Sequence, residues 1–296
     1  MDLVDVQSVV TPLRREDLAD WRAGDAVLAG GTFLFSEPQP GVRRLVDVTR
    51  LAWAPLVVHD DGLEIAATCT LGTLAAAAGD TAPLLRRGGV RARATVSFPD
   101  TWTFGPIVRD AVDALVASFK VWHTATVGGN VCLALPAGSM TSLLAGLGAD
   151  ATVWSPDGTT RTALVADLVT GVGTTALAAG EVVRSFFVPR TALVEPVAFR
   201  RVSLSVRGRS AAVVVARRTV GPDGTEIARV TVTGATPRPY VLTFPAPVDA
   251  ATWHAALDAS VPASDWLGDV HGAADWRRHA SHLLGLDALR SVGGLR

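Results

Sequence analysis

The residues best suited to chemistry are two glycine pairs, each flanked by hydrogen-bonding side chains: Ala29-Gly30-Gly31-Thr32 and Ala125-Thr126-Val127-Gly128-Gly129-Asn130. Adjacent glycines let successive backbone N–H groups turn inward and let a ligand approach the chain closely, while threonine and asparagine add donors suited to phosphate oxygens. Either pair alone reads as an ordinary tight turn; together they form two candidate anion nests that a pyrophosphate would bridge. Other chemistries lack their residues. No Gly-x-Gly-x-x-Gly opens a helix after a strand, and there is no Gly-Lys-Ser/Thr and no Gly-x-Ser-x-Gly elbow, which disfavours Rossmann, P-loop and hydrolase sites. Asp275, His279 and His282 have a spacing that can present metal ligands on one helix face, but a solvated helix face is the expected reading. His123, close to the second glycine pair, is either a donor to a bound oxyanion or a neutral structural histidine. Cys69 and Cys132 are too few for an iron–sulfur or zinc site and are expected as buried, reduced thiols, so any iron–sulfur cluster belongs to a partner.

The elements that must position these residues are legible in outline. A short amphipathic helix is predicted from Thr11 to Gly24, anchored by Leu13, Leu18 and Trp21. Ala26-Val27-Leu28-Ala29 reads as a buried strand running into the first glycine pair, and Arg44-Leu45-Val46-Asp47-Val48 as a second, giving a small βαβ-like lobe. Leu63 to Thr68 alternates like a strand, and Thr70 is placed to cap the helix after it. Asp150–Trp154 and Thr159–Leu164 flank Pro156-Asp157-Gly158 as a hairpin, and Glu181 to Val188 is a further strand stopped by Pro189. Ser210–Val220 and Thr225–Thr233 form a second hairpin around Gly221-Pro222-Asp223-Gly224. Two helices should follow: Asp249 to Ser260 with Trp253 and Leu257 one turn apart, and Gly272 to Val292 with Trp276, Ala280, Leu283 and Leu284 on one face. The segment from Arg86 to Ala117, with Trp102, Phe104 and Pro106, reads as a surface insertion that covers a bound ligand or meets a partner, its aromatics exposed for such a contact.

Composition bounds the function classes. The chain has 296 residues, 49% of them hydrophobic and 19% charged, enough for two or three cores and too apolar for long disorder. With 27 basic and 28 acidic residues, Lys120 being the one lysine, it has no bulk positive surface for nucleic acid. No apolar run is long enough to span a membrane, and the start Met1-Asp2-Leu3-Val4-Asp5 lacks the basic and apolar regions of a signal peptide, so a cytoplasmic location is expected.

The order Leu28-Ala29-Gly30-Gly31-Thr32-x-Leu34, Leu45-Val46-Asp47-Val48, Thr126-Val127-Gly128-Gly129-Asn130, Ala134-x-Pro136-Ala137 and Glu181-Val182-Val183 to Pro189 resembles the FAD-binding subunit of molybdenum hydroxylases. That family comprises the medium subunit of carbon monoxide dehydrogenase-like enzymes and the central domain of xanthine dehydrogenase. The resemblance spans essentially the whole chain and implies an α+β fold: a two-lobed FAD-binding domain of the PCMH type, with lobes at 1–55 and 56–192, then a smaller α+β domain at 193–296. It implies an electron-transfer subunit that passes electrons from the iron–sulfur clusters of one partner through FAD to an external acceptor, while another partner carries the molybdenum cofactor. A scaffold that keeps the fold but binds FAD weakly, and a stand-alone flavin oxidoreductase, are the alternatives. Carried over by position, Leu28, Ala29, Gly30, Gly31, Thr32, Phe33 and Leu34, and Ala125, Thr126, Gly128, Gly129 and Asn130, are the implied phosphate loops. Val116 falls at an apolar FAD contact, and Val183 and Arg200 beside the flavin or adenine end. Ser139 stands where the family has an aspartate for the ribityl hydroxyls. Phe33 and Val121-Trp122-His123 also depart from the family pattern, which has a small or acidic residue and Ile-Arg-Asn there.

Overall fold

A computed structural model describes residues 3–79, 96–221 and 223–296. Its first sheet is built from the N-terminal strands β1 (Ser8–Val10), β2 (Asp25–Leu28) and β3 (Arg44–Asp47), in the order β1-β3-β2 with both pairings parallel. The helix predicted between β1 and β2 is reduced to one 3-10 turn, Arg15–Ala19. The Asp17 carboxylate accepts the N–H groups of Leu13 and Arg14 at 2.9 and 3.0 Å, closing the turn locally, and Leu18 alone of the predicted anchors is buried, Leu13 being 64% exposed. With one buried anchor, tertiary packing gives a longer helix nothing to rest on.

The second sheet is antiparallel and contains β4 (Leu56–Val58), β5 (Gly62–Ala66), β6 (Asp150–Trp154), β7 (Thr160–Leu164) and β10 (Val182–Pro189), in the order β4-β5-β10-β6-β7. A two-stranded ribbon, β8 (Val169–Gly171) with β9 (Thr174–Thr175), precedes β10. The predicted β6–β7 hairpin forms, with Asp150 opposite Leu164 and Trp154 opposite Thr160. Pro189 closes β10 opposite Gly62, at an end where no ladder N–H is needed.

Seven helices pack on or beside these sheets among the described residues: α1 (Leu71–Ala77), α2 (Gly105–Ala114), α3 (Phe119–Trp122), α4 (Val127–Cys132), α5 (Ser139–Leu147), α6 (Val165–Leu168) and α7 (Arg190–Val194). Thr70 caps α1 as its sequence position predicts, its hydroxyl accepting the Thr73 N–H at 3.1 Å. Every residue of α5 is buried, so its sequence has no amphipathic period to reveal it. The start of the predicted surface insertion, residues 86–95, falls in the stretch 80–95 that lies outside the described residues. Beyond them the expectation of exposed aromatics is corrected: Trp102 and Phe104 are 8% and 1% exposed. They cluster with Phe98 at ring-centroid separations of 5.0–5.9 Å, because three aromatic faces removed from water together are worth more than an open patch.

The third sheet, β11 (Val197–Val202), β12 (Ala212–Val220), β13 (Glu226–Thr233) and β14 (Tyr240–Pro245), is antiparallel in chain order. One face carries Phe199, Val213 and Val215 into the core that contains α5, where Ser142 and Thr233 share a 2.6 Å hydroxyl hydrogen bond. The other face, with Ala212, Val214 and Ala216, is covered by α8 (Ala250–Ser260) and α9 (Ala274–Ser291). Trp253 and Leu257 of α8 are fully buried as predicted. The buried face of α9 keeps Ala280 from the predicted one and otherwise differs: it is Arg277, Ala280, Ser281, His282, Gly285, Ala288 and Leu289, with Leu283 53% exposed. The Trp253 indole occupies the space over Gly285, so the helices meet on small residues and the leucine is turned outward.

One of the two histidines of α9 also departs from expectation. His279 is exposed, but His282 is buried, its Nδ1 2.7 Å from His254 Nδ1 and its Nε2 2.8 Å from an Asp258 carboxylate oxygen. Burial pushes its pKa below the ordinary histidine value. Among the described residues no group of three or more His, Cys, Asp or Glu could hold a metal ion, and no helix is long and apolar enough to cross a membrane.

Candidate functional site

β2 ends at Leu28 and delivers the chain into the first glycine pair at the rim of a cleft of about 530 Å³. Gly31 turns there with φ +66°, a left-handed conformation that glycine adopts without strain. Gly30 is the point of closest approach between the two glycine loops. A methyl group on it would lie 1.9 Å from the Thr124 carbonyl oxygen, so only glycine lets the segment before the second pair pack against the first. From Gly30 to Leu34 no backbone N–H donates to a protein acceptor among the described residues, which leaves a run of unspent donors at the cleft.

The second pair is organised differently. Thr126 is the N-cap of α4, its hydroxyl accepting the Gly129 N–H at 3.1 Å, and the Gly128 and Val127 N–H groups donate to the Ala67 and Cys69 carbonyls. The pair therefore opens a short helix whose first donors are already used, and its glycines serve proximity. A methyl on Gly128 would strike Ala67 at 2.5 Å, whereas one on Gly129 would meet only the Thr126 hydroxyl. Asn130 accepts the Met140 N–H at 2.9 Å, tying α4 to the start of α5, and its own amide nitrogen has no partner among the described residues.

Of the residues singled out from sequence, Ala29, Gly30, Gly31, Thr32, Phe33, Leu34, Ala125, Thr126, Gly128, Gly129, Asn130 and Val183 line this one cleft. Four lie elsewhere. Leu28 is the last residue of β2, and Val116 has φ +54° and is exposed between the lining residues Leu115 and Ala117. Ser139 is buried beneath Gly138 with its hydroxyl unpartnered. Arg200 points away, toward Asp287 and Ser291 on α9, because its register partner Val214 belongs to the helix-covered face of the third sheet. His123 does not line the cleft; its Nδ1 lies toward Gly72 of α1 and its Nε2 is buried without a partner.

Sequence reasoning missed Glu181 and Arg209, the acidic and the basic residue of the lining. Glu181 is spent on Arg161, which donates to both carboxylate oxygens at 2.7 and 2.6 Å and holds its pKa down to about 2. Arg209 has no hydrogen bond or ion pair among the described residues. Cys132 also lines the cleft, and burial pushes its thiol up to about 12, so it is protonated and unreactive. The remaining wall is mostly apolar, set by Val27, Val48, Val121, Leu133, Leu135 and Leu177, with Gln39 and Thr68 as its polar members. A mostly apolar cleft lined by two adjoining glycine loops, one with free amide donors, suits a dinucleotide with a charged centre and flat ends.

Comparison with known proteins agrees. Residues 7–191 match the model of the FAD binding domain in molybdopterin dehydrogenase. Among solved structures, the chain is similar to reconstituted CO dehydrogenase from Oligotropha carboxidovorans, at 18% identity over 100% of both chains with a TM-score of 0.74. It is similar to carbon monoxide dehydrogenase from Hydrogenophaga pseudoflava at 18% identity over 97% of both chains (TM-score 0.73). It is also similar to quinoline 2-oxidoreductase from Pseudomonas putida 86, at 19% identity over 100% of both chains (TM-score 0.71). No curated protein sequence matches it. The two-lobed α+β fold implied by the family resemblance is the fold of these structures, and the chain belongs to the family of FAD-binding domains of molybdopterin dehydrogenases.

Proposed function

We propose that this chain holds FAD in the cleft and relays electrons, taking them from the iron–sulfur clusters of one partner subunit and releasing them to an external acceptor, while a second partner carries the molybdenum cofactor. The observation that carries this reading is the contact of Gly30 with the Thr124–Ala125 backbone beside a run of unspent amide donors. The first loop, Ala29 to Leu34, supplies backbone N–H groups to the diphosphate. Ala125, Thr126, Gly128, Gly129 and Asn130 form the opposing wall, with the Asn130 amide nitrogen as an added donor, and Val183 packs against the bound cofactor. FAD, when bound, supplies the electron-carrying chemistry, and no side chain of the cleft is required as an acid or base. The lining excludes water from the cofactor's flat surfaces and leaves the rim open to an acceptor.

The proposed division of the chain follows the sheets: a lobe to residue 55, a second to residue 192, and a C-terminal α+β unit. The test is an absorption spectrum of the purified chain, followed by acid release and chromatographic identification of the cofactor. Stoichiometric FAD is expected; a colourless chain that also refuses added FAD would overturn the assignment in favour of a scaffold subunit.

A further inference from the structure

Arg209 is the one cation among the described residues that line the cleft, and no carboxylate among the described residues pairs with it. Its position follows from the third sheet. Arg201, whose register partner Val213 faces the core containing α5, donates to the Gly208 carbonyl at 3.3 Å and the Ser210 hydroxyl at 3.1 Å, bracing the β11–β12 connection on either side of Arg209. That end of the sheet is joined to the chain after α4 by the Gly234 N–H, which donates to the Pro136 carbonyl at 2.9 Å. Arg209 therefore shares the cleft wall with Leu135, Ala137 and Gly138, beyond the C-terminal end of α4. The glycine loops meet at the N-terminal end of the same helix, whose six residues span about 9 Å at 1.5 Å each. The cation is thus held away from the free amide donors, at the end of the cleft beyond α4.

We infer that Arg209, braced by Arg201, faces the isoalloxazine end of the cofactor and favours its reduced form. This rests on the FAD reading above. On reduction the ring system takes up two electrons and one proton, the electrons coming from a low-potential donor such as an iron–sulfur cluster or dithionite, and is left with one negative charge near neutral pH. A neighbouring unpaired cation interacts with that charge and has no such interaction with the neutral oxidised ring, so it shifts the couple more than the affinity. Arg209 is a tuning residue and moves no proton.

The experiment uses the full chain loaded with FAD, as wild type and as Arg209→Lys, Arg209→Ala and Arg209→Glu, reading the midpoint potential by dye equilibration and the dissociation constant of oxidised FAD by fluorescence. The side chain is exposed and has no bond to the other described residues, so all four are expected to fold. Arg209→Ala should lower the equilibrium constant for reduction about tenfold, a fall of about 30 mV for a two-electron couple. Arg209→Lys should stay near wild type, Arg209→Glu should fall further, and oxidised FAD should bind all four within about threefold. Equal potentials across the series would overturn the inference and leave the FAD reading intact. So would a loss of FAD affinity above about a hundredfold in Arg209→Ala with an unchanged potential, which would put the cation on the diphosphate. A wild-type chain that takes up no FAD would overturn both.

Discussion

Replacing Gly30 by alanine tests the contact on which the site depends. The new methyl would sit 1.9 Å from the Thr124 carbonyl oxygen, and about 3.0 Å is the least that real contacts of this kind allow, so the two loops must part by about 1.1 Å. In the free chain this costs little, because the N–H groups from Gly30 to Leu34 are not tied to the protein and the first loop lies at the cleft rim. With cofactor bound, both loops must close on one diphosphate, and the strain reappears as an overpacking penalty of about 1–3 kcal/mol. That corresponds to a loss of FAD affinity of about 5- to 150-fold. Titration of the apoprotein with FAD measures it. Gly268→Ala serves as the control, since a methyl there meets nothing closer than 3.6 Å and the residue does not line the cleft. A folded Gly30→Ala chain that binds FAD within twofold of wild type would refute the closure argument.

Three further outcomes follow from other parts of the molecule. Glu181 is held down to about 2 from an ordinary 4.5, chiefly by its hydrogen bonds from Arg161, so its stabilisation is complete above about pH 4.5 and is lost as the pH falls toward 2; in urea titrations Glu181→Gln should be less stable than wild type near neutrality and converge with it toward pH 2, and a pH-independent gap would contradict this. Gly285→Ala places a methyl 2.1 Å from the Trp253 ring, so the α8–α9 packing should lose about 1–3 kcal/mol; an unchanged thermal midpoint would show that the indole moves freely. Val116, a β-branched residue at φ +54°, carries left-handed strain of about 1–3 kcal/mol. Val116→Gly relieves it against about 0.5–1 kcal/mol of added chain entropy, so the thermal midpoint should rise by a few degrees rather than fall.

What the sequence determined by itself is what local chemistry encodes. The two glycine pairs, the Thr70 cap, the β6–β7 hairpin and the α8 anchors Trp253 and Leu257 all follow from residue types at short spacing, where backbone freedom, a capping hydroxyl or helical period acts within a few positions. The resemblance carried by the glycine loops extended that reading to the cofactor. Only the tertiary structure decided the rest. It fixed which face of β11 each arginine occupies, turning Arg200 toward α9 and letting Arg201 brace Arg209 at the cleft, because a one-residue step along a strand reverses the side chain. It buried α5 on all sides, closed Phe98, Trp102 and Phe104 into a cluster, and turned α9 so that Gly285 rather than a leucine meets Trp253. It also used the donors of the second glycine pair internally and left those of the first unspent, since a hydrogen bond to Ala67 or Cys69 depends on neighbours some 60 residues away in the chain that only folding brings together.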